Sequence, residues 1–345
     1  MVSYIPTSLI FIGFSVATFI YAVTNRREKI EKKILINELL LGILFFNTGI
    51  FFPFLYQINS PELSLGTLNT LWALTSIIFV LELLVWTSIF VYNAVISKKD
   101  PKLMAARDYN KYRNQVMQNW VDDLKGEFGR KILHLFTVAV IFVFWTIGTI
   151  LDSIGFLDSV GLDNYSFSFW WTITVGLAFV IMFAIADLVR LNKSYMLPNW
   201  ARNWYLSMRP EELDTFIAST PLVLALVPFI FAPFPILGAV ALITTAADGL
   251  ACIIGKKYGK HPLRKNSEKT IEGFIAGASS TFVIVVVIMI LYQTWMPLSL
   301  IKILLMALVA MILFMIIDMF ISRISDNILN PIFTGFGMWL IYVLI

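Results

Sequence analysis

The sequence predicts an all-α, polytopic integral membrane protein with about ten transmembrane helices, and three observations carry that expectation. Hydrophobic residues make up 59% of the 345-residue chain and charged ones only 14%, against roughly 25% charged in soluble domains. Apolar runs near or above the roughly 18 residues that cross a bilayer recur along the whole chain. Threading those runs through a membrane places the basic residues almost entirely on one side. Backbone groups find no water partner in lipid, so each run is expected to be a helix.

The spans are expected near 8–24, 35–57, 68–96, 132–150, 167–189, 215–232, 235–255, 271–292, 298–320 and 327–344. The first lacks a basic flank ahead of it and its bases follow it, which predicts an uncleaved anchor rather than a signal peptide. Basic residues cluster at 26–33, 98–131, 190–209 and 256–269, with Arg323 near the end; of the 26 Lys and Arg only Lys302 falls on the other side. The opposite loops hold Glu62, Asp152, Asp158 and Asp163. The positive-inside rule makes the basic side cytoplasmic and puts both termini outside. The lone Cys252 excludes an intrachain disulfide. Between the third and fourth spans, Tyr109, Tyr112, Val116, Trp120 and Leu124 recur at helical spacing among charges. That pattern fits a helix on the inner membrane surface or one packed on the protein's own spans. In chain order the expected organisation is a three-helix membrane region (1–97), a cytoplasmic amphipathic segment (98–131) and a seven-helix catalytic membrane domain (132–345).

The chemistry concentrates at 246–273, AADGLACIIGKKYGKHPLRKNSEKTIEG. Asp248, Ala251/Cys252, Gly255 and Gly259 share one face if the helix continues. Small residues on such a face serve close helix packing, Gly255 and Gly259 forming a small-xxx-small pair. Packing does not explain Asp248, whose charge is costly in a membrane and marks a functional candidate. An acid there can hold Mg²⁺ on phosphate oxygens. Lys256, Lys257, Lys260, Arg264 and Lys265 form a basic loop that serves either orientation and lipid headgroups or a phosphate ligand. Thr270 is placed to N-cap the following helix, directing backbone N–H groups toward a cytoplasm-facing cleft. Lys269 adds a charge at that helix end, and Glu272 supplies a second carboxylate able to share a metal with Asp248. A P-loop is excluded, because GKKYGKH has three residues between its glycines and no Ser or Thr after the Lys. Glu82 and Asp318 also lie inside spans, Asp318 two helical turns before Asp326 if the helix persists.

DGLACIIGKKYGK followed by KTIEG resembles the membrane CTP-using superfamily that includes dolichol and phytol kinases and the phosphatidate cytidylyltransferases. Other pieces resemble the polyprenol kinase branch. These are Arg130-Lys131-Ile132-Leu133-His134, Asp187-Leu188-Val189-Arg190, Arg209 with Glu212, and Asp326-Asn327 with Pro331. The cytidylyltransferase signatures, a Lys-Arg…Lys-Asp segment and Pro-Gly-His-Gly-Gly, are absent, and the chain has no Gly-Gly. The resemblance covers about 125–345; Asn330 departs from the apolar residue the kinases place before Pro331, and the first three spans match no known pattern.

The resemblance implies a lipid kinase moving the γ-phosphoryl group of CTP to a long isoprenoid alcohol at the cytoplasmic face. The alternative is a phosphatidate cytidylyltransferase of CDP-diacylglycerol or CDP-archaeol type. Asp248 and Glu272 are assigned to Mg²⁺, and Lys256, Lys260 and Lys269 to the phosphates. Gly255, Gly259 and Gly273 would allow close backbone approach, with Arg130, Lys131, Lys257, Thr270 and Asn327 completing the nucleotide site. His134 or Asp326 would accept the alcohol proton. Each has a structural alternative: His134 a helix-end histidine, Asp326 and Asn327 an N-cap, Asp187 and Arg190 a bracing pair. The expected partners are a nucleoside triphosphate, the alcohol and the bilayer, with no nucleic acid. A transporter would show inverted repeats, and none is visible. A non-catalytic scaffold predicts that Asp248, Lys269 and Glu272 affect no turnover.

Overall fold

The computed structural model describes residues 3–25, 32–56, 63–120, 124–206, 208–264, 269–320 and 324–345. Helix accounts for 84% of the protein, with no strand among the described residues, so the class is all-α. In chain order the helices begin with α1 (Ile5–Asn25), α2 (Lys32–Phe51) and α3 (Leu65–Lys99). The short α4 (Pro101–Ala106) and α5 (Tyr109–Asn119) follow, N-capped by Asp100 and Asp108. Next come α6 (Leu124–Ser153), α7 (Phe156–Ser159), α8 (Asn164–Lys193), α9 (Asn199–Tyr205) and α10 (Ser219–Leu226). The last five are α11 (Phe234–Leu242), α12 (Asp248–Tyr258), α13 (Ile271–Leu291), α14 (Leu300–Phe320) and α15 (Asp326–Leu344).

Among the described residues nine helical stretches are long and apolar enough to span a membrane, α11 and α12 counting together as Phe234–Tyr258. The protein is therefore a multi-pass membrane protein. The stretch expected as the sixth span is the exception: it forms only the shorter apolar helix Ser219–Phe231. Pro228 has no N–H and its ring crowds the preceding turn. Accordingly α10 stops at Leu226 and the chain continues as a 3₁₀ turn over Val227–Phe231.

The chain divides into two compact units, one of Met1–Pro53, Leu65–Asp122 and Thr174–Pro221, the other of Phe54–Ser64, Asp123–Ile173 and Leu222–Ile345. In the first, α1 packs on α2 and α3. The amphipathic α5 packs on the protein's own helices: Tyr112 and Val116 are buried with Phe90, Ala186, Leu197, Ala201, Tyr205, Met208 and Leu213. The Tyr112 hydroxyl donates to the Tyr205 carbonyl at 3.0 Å.

Asp187 and Arg190, both fully buried, brace this unit. The Arg190 guanidinium pairs with Asp187 at 3.0 Å and donates to the carbonyls of Leu213 and Thr215. Asp187 Oδ2 accepts from the Ile217 N–H at 2.8 Å. Thr215 also donates to Glu38 on α2 at 2.8 Å. The Arg209/Glu212 pair is local: Glu212 Oε2 accepts from the Arg209 N–H at 3.3 Å, closing the turn before this loop. Both kinase-like pairs thus hold the 209–217 segment. Removing one partner of a buried pair strands the other charge, so Arg190→Met should destabilise by about 3–5 kcal/mol. Thermal melts in detergent should show that loss, and the double variant Asp187→Leu/Arg190→Met should be less affected than the sum of the singles. An unchanged midpoint in Arg190→Met would show that the pair does not hold the loop.

In the second unit α12 packs on α13 and α6, α13 on α14, and α14 on α15. Glycine sets the α12–α13 distance. A Cβ on Gly273 would stand 2.5 Å from the Ala251 carbonyl oxygen and 2.9 Å from Gly255 Cα. A Cβ on Gly277 would meet Ala251 Cβ at 2.9 Å. The two backbones pack as close as the small-residue faces allow.

Candidate functional site

Asp248 owes its position to an irregularity in its own helix. Almost all of α11 is buried, whereas α12 buries only Gly249. Between them Ile243–Ala247 forms a π-helical turn. Thr244 and Thr245 return their hydroxyls to the carbonyls of Val240 and Ala241, at 2.9 and 2.7 Å. Such back-bonding favours bending, and π turns re-aim the residues that follow them. Asp248 is the first residue after the turn, and its Oδ2 accepts from the Lys131 ammonium. The Lys131 stem lies across Gly249, with its carbons 3.7–3.9 Å from where a Cβ would stand.

The loop after α12 folds back onto the start of α13. Gly259 caps α12, Leu263 N–H donates to the Lys269 carbonyl at 2.8 Å, and Ile271 N–H to the His261 carbonyl at 2.9 Å. Pro262 and Thr270 form an isolated antiparallel bridge. This closure sets Lys269 beside α14, where its ammonium reaches Asp318 Oδ1 at 2.5 Å. Asp326 belongs to the same cluster, since its charge acts on both Lys131 and Lys269. Ser325 occupies the N-cap position of α15, so Asp326 is the first helical residue and not a cap.

Two lysines and three aspartates therefore gather where α6, α12, α13, α14 and α15 meet. Burial works against charge on Lys131, but Asp248 and Asp326 outweigh it and raise its pKa above the ordinary lysine value. Burial opposes charge on Lys269 as well, and there Asp318 and Asp326 prevail in the same sense. Both ammonium groups stay charged at neutral pH. Lys131 is largely sequestered, whereas the Lys269 side chain is 46% exposed. An anion can reach Lys269 from solvent.

Several expected site residues have other duties. Glu272 faces His261, with Oε1 2.7 Å from Nδ1, so it is not the second half of a carboxylate pair with Asp248. Gly273 sits against α12, and one helical residue turns Glu272 about 100° away from that contact. Thr270 does N-cap α13, its hydroxyl accepting from Gly273 N–H at 3.2 Å. That bond and the one from Ile271 to His261 occupy N–H groups expected to meet a phosphate. The space before Gly255 and Gly259 is likewise filled, by Thr270 Oγ1 at 3.0 and 2.6 Å from their notional Cβ positions. These glycines and Thr270 build the α12–α13 joint rather than a phosphate cradle.

Lys256, Lys257 and Lys260 are exposed. The Lys257 ammonium lies over the Tyr258 ring at 5.1 Å. His134 is buried at the start of its span, and Asn327 is half-buried beside Asp326. The side chain of Arg130 lies outside the described residues, as do Lys265 and Arg323.

Among the described residues no three His, Cys, Asp or Glu side chains converge to hold a metal ion, so an all-protein metal cage is not built here. The cluster nevertheless suits Mg²⁺, which binds through one or two carboxylates together with substrate phosphates. Asp248, Asp318 and Asp326 exceed the two lysines by one negative charge, so a cation arriving with a polyphosphate would not face a net-positive site. Comparison with protein-family models, curated proteins and solved structures finds no match to this chain.

Proposed function

We propose that the protein is a CTP-dependent lipid kinase that transfers the γ-phosphoryl group to a long isoprenoid alcohol at the cytoplasmic membrane face. The observation that carries this reading is the Lys131/Asp248/Lys269/Asp318/Asp326 cluster where five helices meet. Phosphoryl transfer asks little covalent chemistry of a protein and much positioning and charge neutralisation. Preorganised ammonium groups aimed at phosphate oxygens supply that neutralisation. A membrane-embedded acceptor and a highly charged donor can meet only at the bilayer boundary. Assigning that boundary to the cytoplasm requires the short Ser219–Phe231 helix to complete a tenth crossing, because the bases share one side only under ten crossings.

Lys131 and Lys269 would exchange their aspartate partners for the β- and γ-phosphates as the nucleotide enters. Asp248 and Asp326 would then hold Mg²⁺, which spreads the charge on the transferring group. The alcohol oxygen bonds to the γ-phosphorus, the bond to the β-phosphate oxygen breaks, and CDP leaves. With Asp326 on the metal, His134 would take the hydroxyl proton. CTP as donor rests on the resemblance of 246–273 to the CTP-using superfamily. The test is purified protein with CTP, Mg²⁺ and a panel of prenyl alcohols, read by mass spectrometry of the extracted lipid. A prenyl monophosphate is the expected product. A cytidine diphosphate lipid formed from phosphatidic acid, with no alcohol phosphorylated, would replace the kinase reading with the cytidylyltransferase one.

A further inference from the structure

Below the charged cluster, the second unit carries an open-sided groove of about 530 Å³ lined by Val138, Ala139, Phe142 and Thr146 of α6, Leu242 of α11 and Ile288 of α13, among others. We infer that this groove seats the hydrocarbon tail of the acceptor lipid as a single extended prenyl chain. The inference rests on the kinase reading for the identity of the headgroup and deepens it by placing the tail.

Three observations argue for that occupant. The groove shares a helix face with the cluster: Val138 follows Lys131 by seven residues and His134 by four, and Phe142 and Thr146 continue the row at steps of four. It also lies in series with the cluster on the other two helices. Leu242 precedes Asp248 by six residues across the π turn, and Ile288 lies 18 residues beyond Thr270. At 1.5 Å per residue the groove runs from about 10 Å to about 27 Å below the lysines, all within the hydrocarbon depth. Finally, it offers no polar atom to a second headgroup. The single hydroxyl on its wall, Thr146, is turned to the Phe142 carbonyl at 2.8 Å. The lining is one double row on α6 facing one residue each from α11 and α13, a width suited to one chain rather than two.

The geometry gives a length rule. Each added prenyl unit should gain apolar contact until the tail reaches the floor near Ile147 and Ile288, after which affinity should level off. Ala139 is exposed and lies near the top of the groove. Ala139→Phe should therefore raise KM for long prenyl alcohols by about tenfold or more and leave KM for CTP unchanged, because the removed contacts are apolar and distant from the phosphates. Thr146→Phe, about 22 Å down, should spare short alcohols and penalise only long ones.

Occupancy is tested on the full-length wild-type protein in phosphatidylcholine nanodiscs with a C20 prenyl alcohol carrying a diazirine near its tail end. Crosslinks mapped by mass spectrometry should fall on 138–147, Leu242 and Ile288, and excess unlabelled prenyl alcohol should remove them. A diazirine phosphatidylcholine should not give the same competed pattern. Labelling absent from the groove, or not displaced by prenyl alcohol, would overturn the inference even if the alcohol is phosphorylated. Competed labelling without phosphoryl transfer from CTP would uphold the groove and remove the kinase reading. Competed labelling by a diazirine phosphatidic acid in place of the alcohol would overturn the single-prenyl occupant.

Discussion

Asp248→Asn is expected to lower turnover by about 10²–10³-fold, the range seen when one preorganised charge is removed from a transition state. The substitution keeps the shape of the side chain and removes its negative charge. Asp248 is the residue that the π turn delivers into the cluster, and it holds the Lys131 ammonium. Losing it therefore removes a candidate Mg²⁺ ligand and frees Lys131 from the position in which phosphate should find it. The variant should also melt somewhat lower, because Lys131 is largely buried and loses a carboxylate partner. The two effects separate in the measurement. Turnover at saturating Mg²⁺ and CTP should fall by orders of magnitude while the melting transition stays cooperative. Near-wild-type turnover with a lowered melting temperature would make Asp248 only a structural counter-ion for Lys131.

Lys269→Ala should cut kcat/KM for CTP by about 100-fold. The Lys269 side chain is 46% exposed but its partner Asp318 on α14 only 10%, so the variant should also melt lower, as a largely buried carboxylate is left unpaired. A catalytic loss that persists below the melting transition, where the variant is folded, is the signature of a ligand contact rather than a brace. Asp318→Asn, which unties Lys269 without removing it, should cost much less and should weaken the preference for Mg²⁺-bound over free CTP. Steady-state kinetics over a CTP series, alongside thermal melts, check both variants. Equal activity in Lys269→Ala and wild type would remove the phosphate role.

The fold class was legible because lipid leaves the backbone no alternative to helix, and length and apolarity read out directly. The break at Pro228 was not, since an average over 215–232 stays apolar whether or not one proline ends the helix. Packing of α5 on the protein itself could not be told from membrane-surface binding, because both use the same Tyr112 and Val116 stripe. Within the site, Asp248 was visible as a charge that packing does not explain and Lys269 as a charge at a helix start, whereas Lys131 and Asp326 were reached only through the resemblance. Their pairing was not, because Lys131 and Asp248 lie 117 residues apart. Asp318 carried a usable signal, an acid inside a span two turns before Asp326. Glu272 misled because adjacency in KTIEG says nothing about the face: Gly273 and Gly277 take the side toward α12 and leave Glu272 beside it. The small-residue pattern was correctly suited to helix packing, and that use leaves the glycines unavailable as a phosphate cradle.

Doubly labelled CTP tests the central claim most directly. With ³³P at the γ position and ³²P at the α position, purified protein, Mg²⁺ and a long prenyl alcohol should carry ³³P alone into the organic phase, leaving ³²P in water as CDP. Asp248→Asn and Lys269→Ala should suppress that transfer. Extraction of ³²P with release of labelled pyrophosphate, or no transfer of either label to the alcohol, would contradict the account.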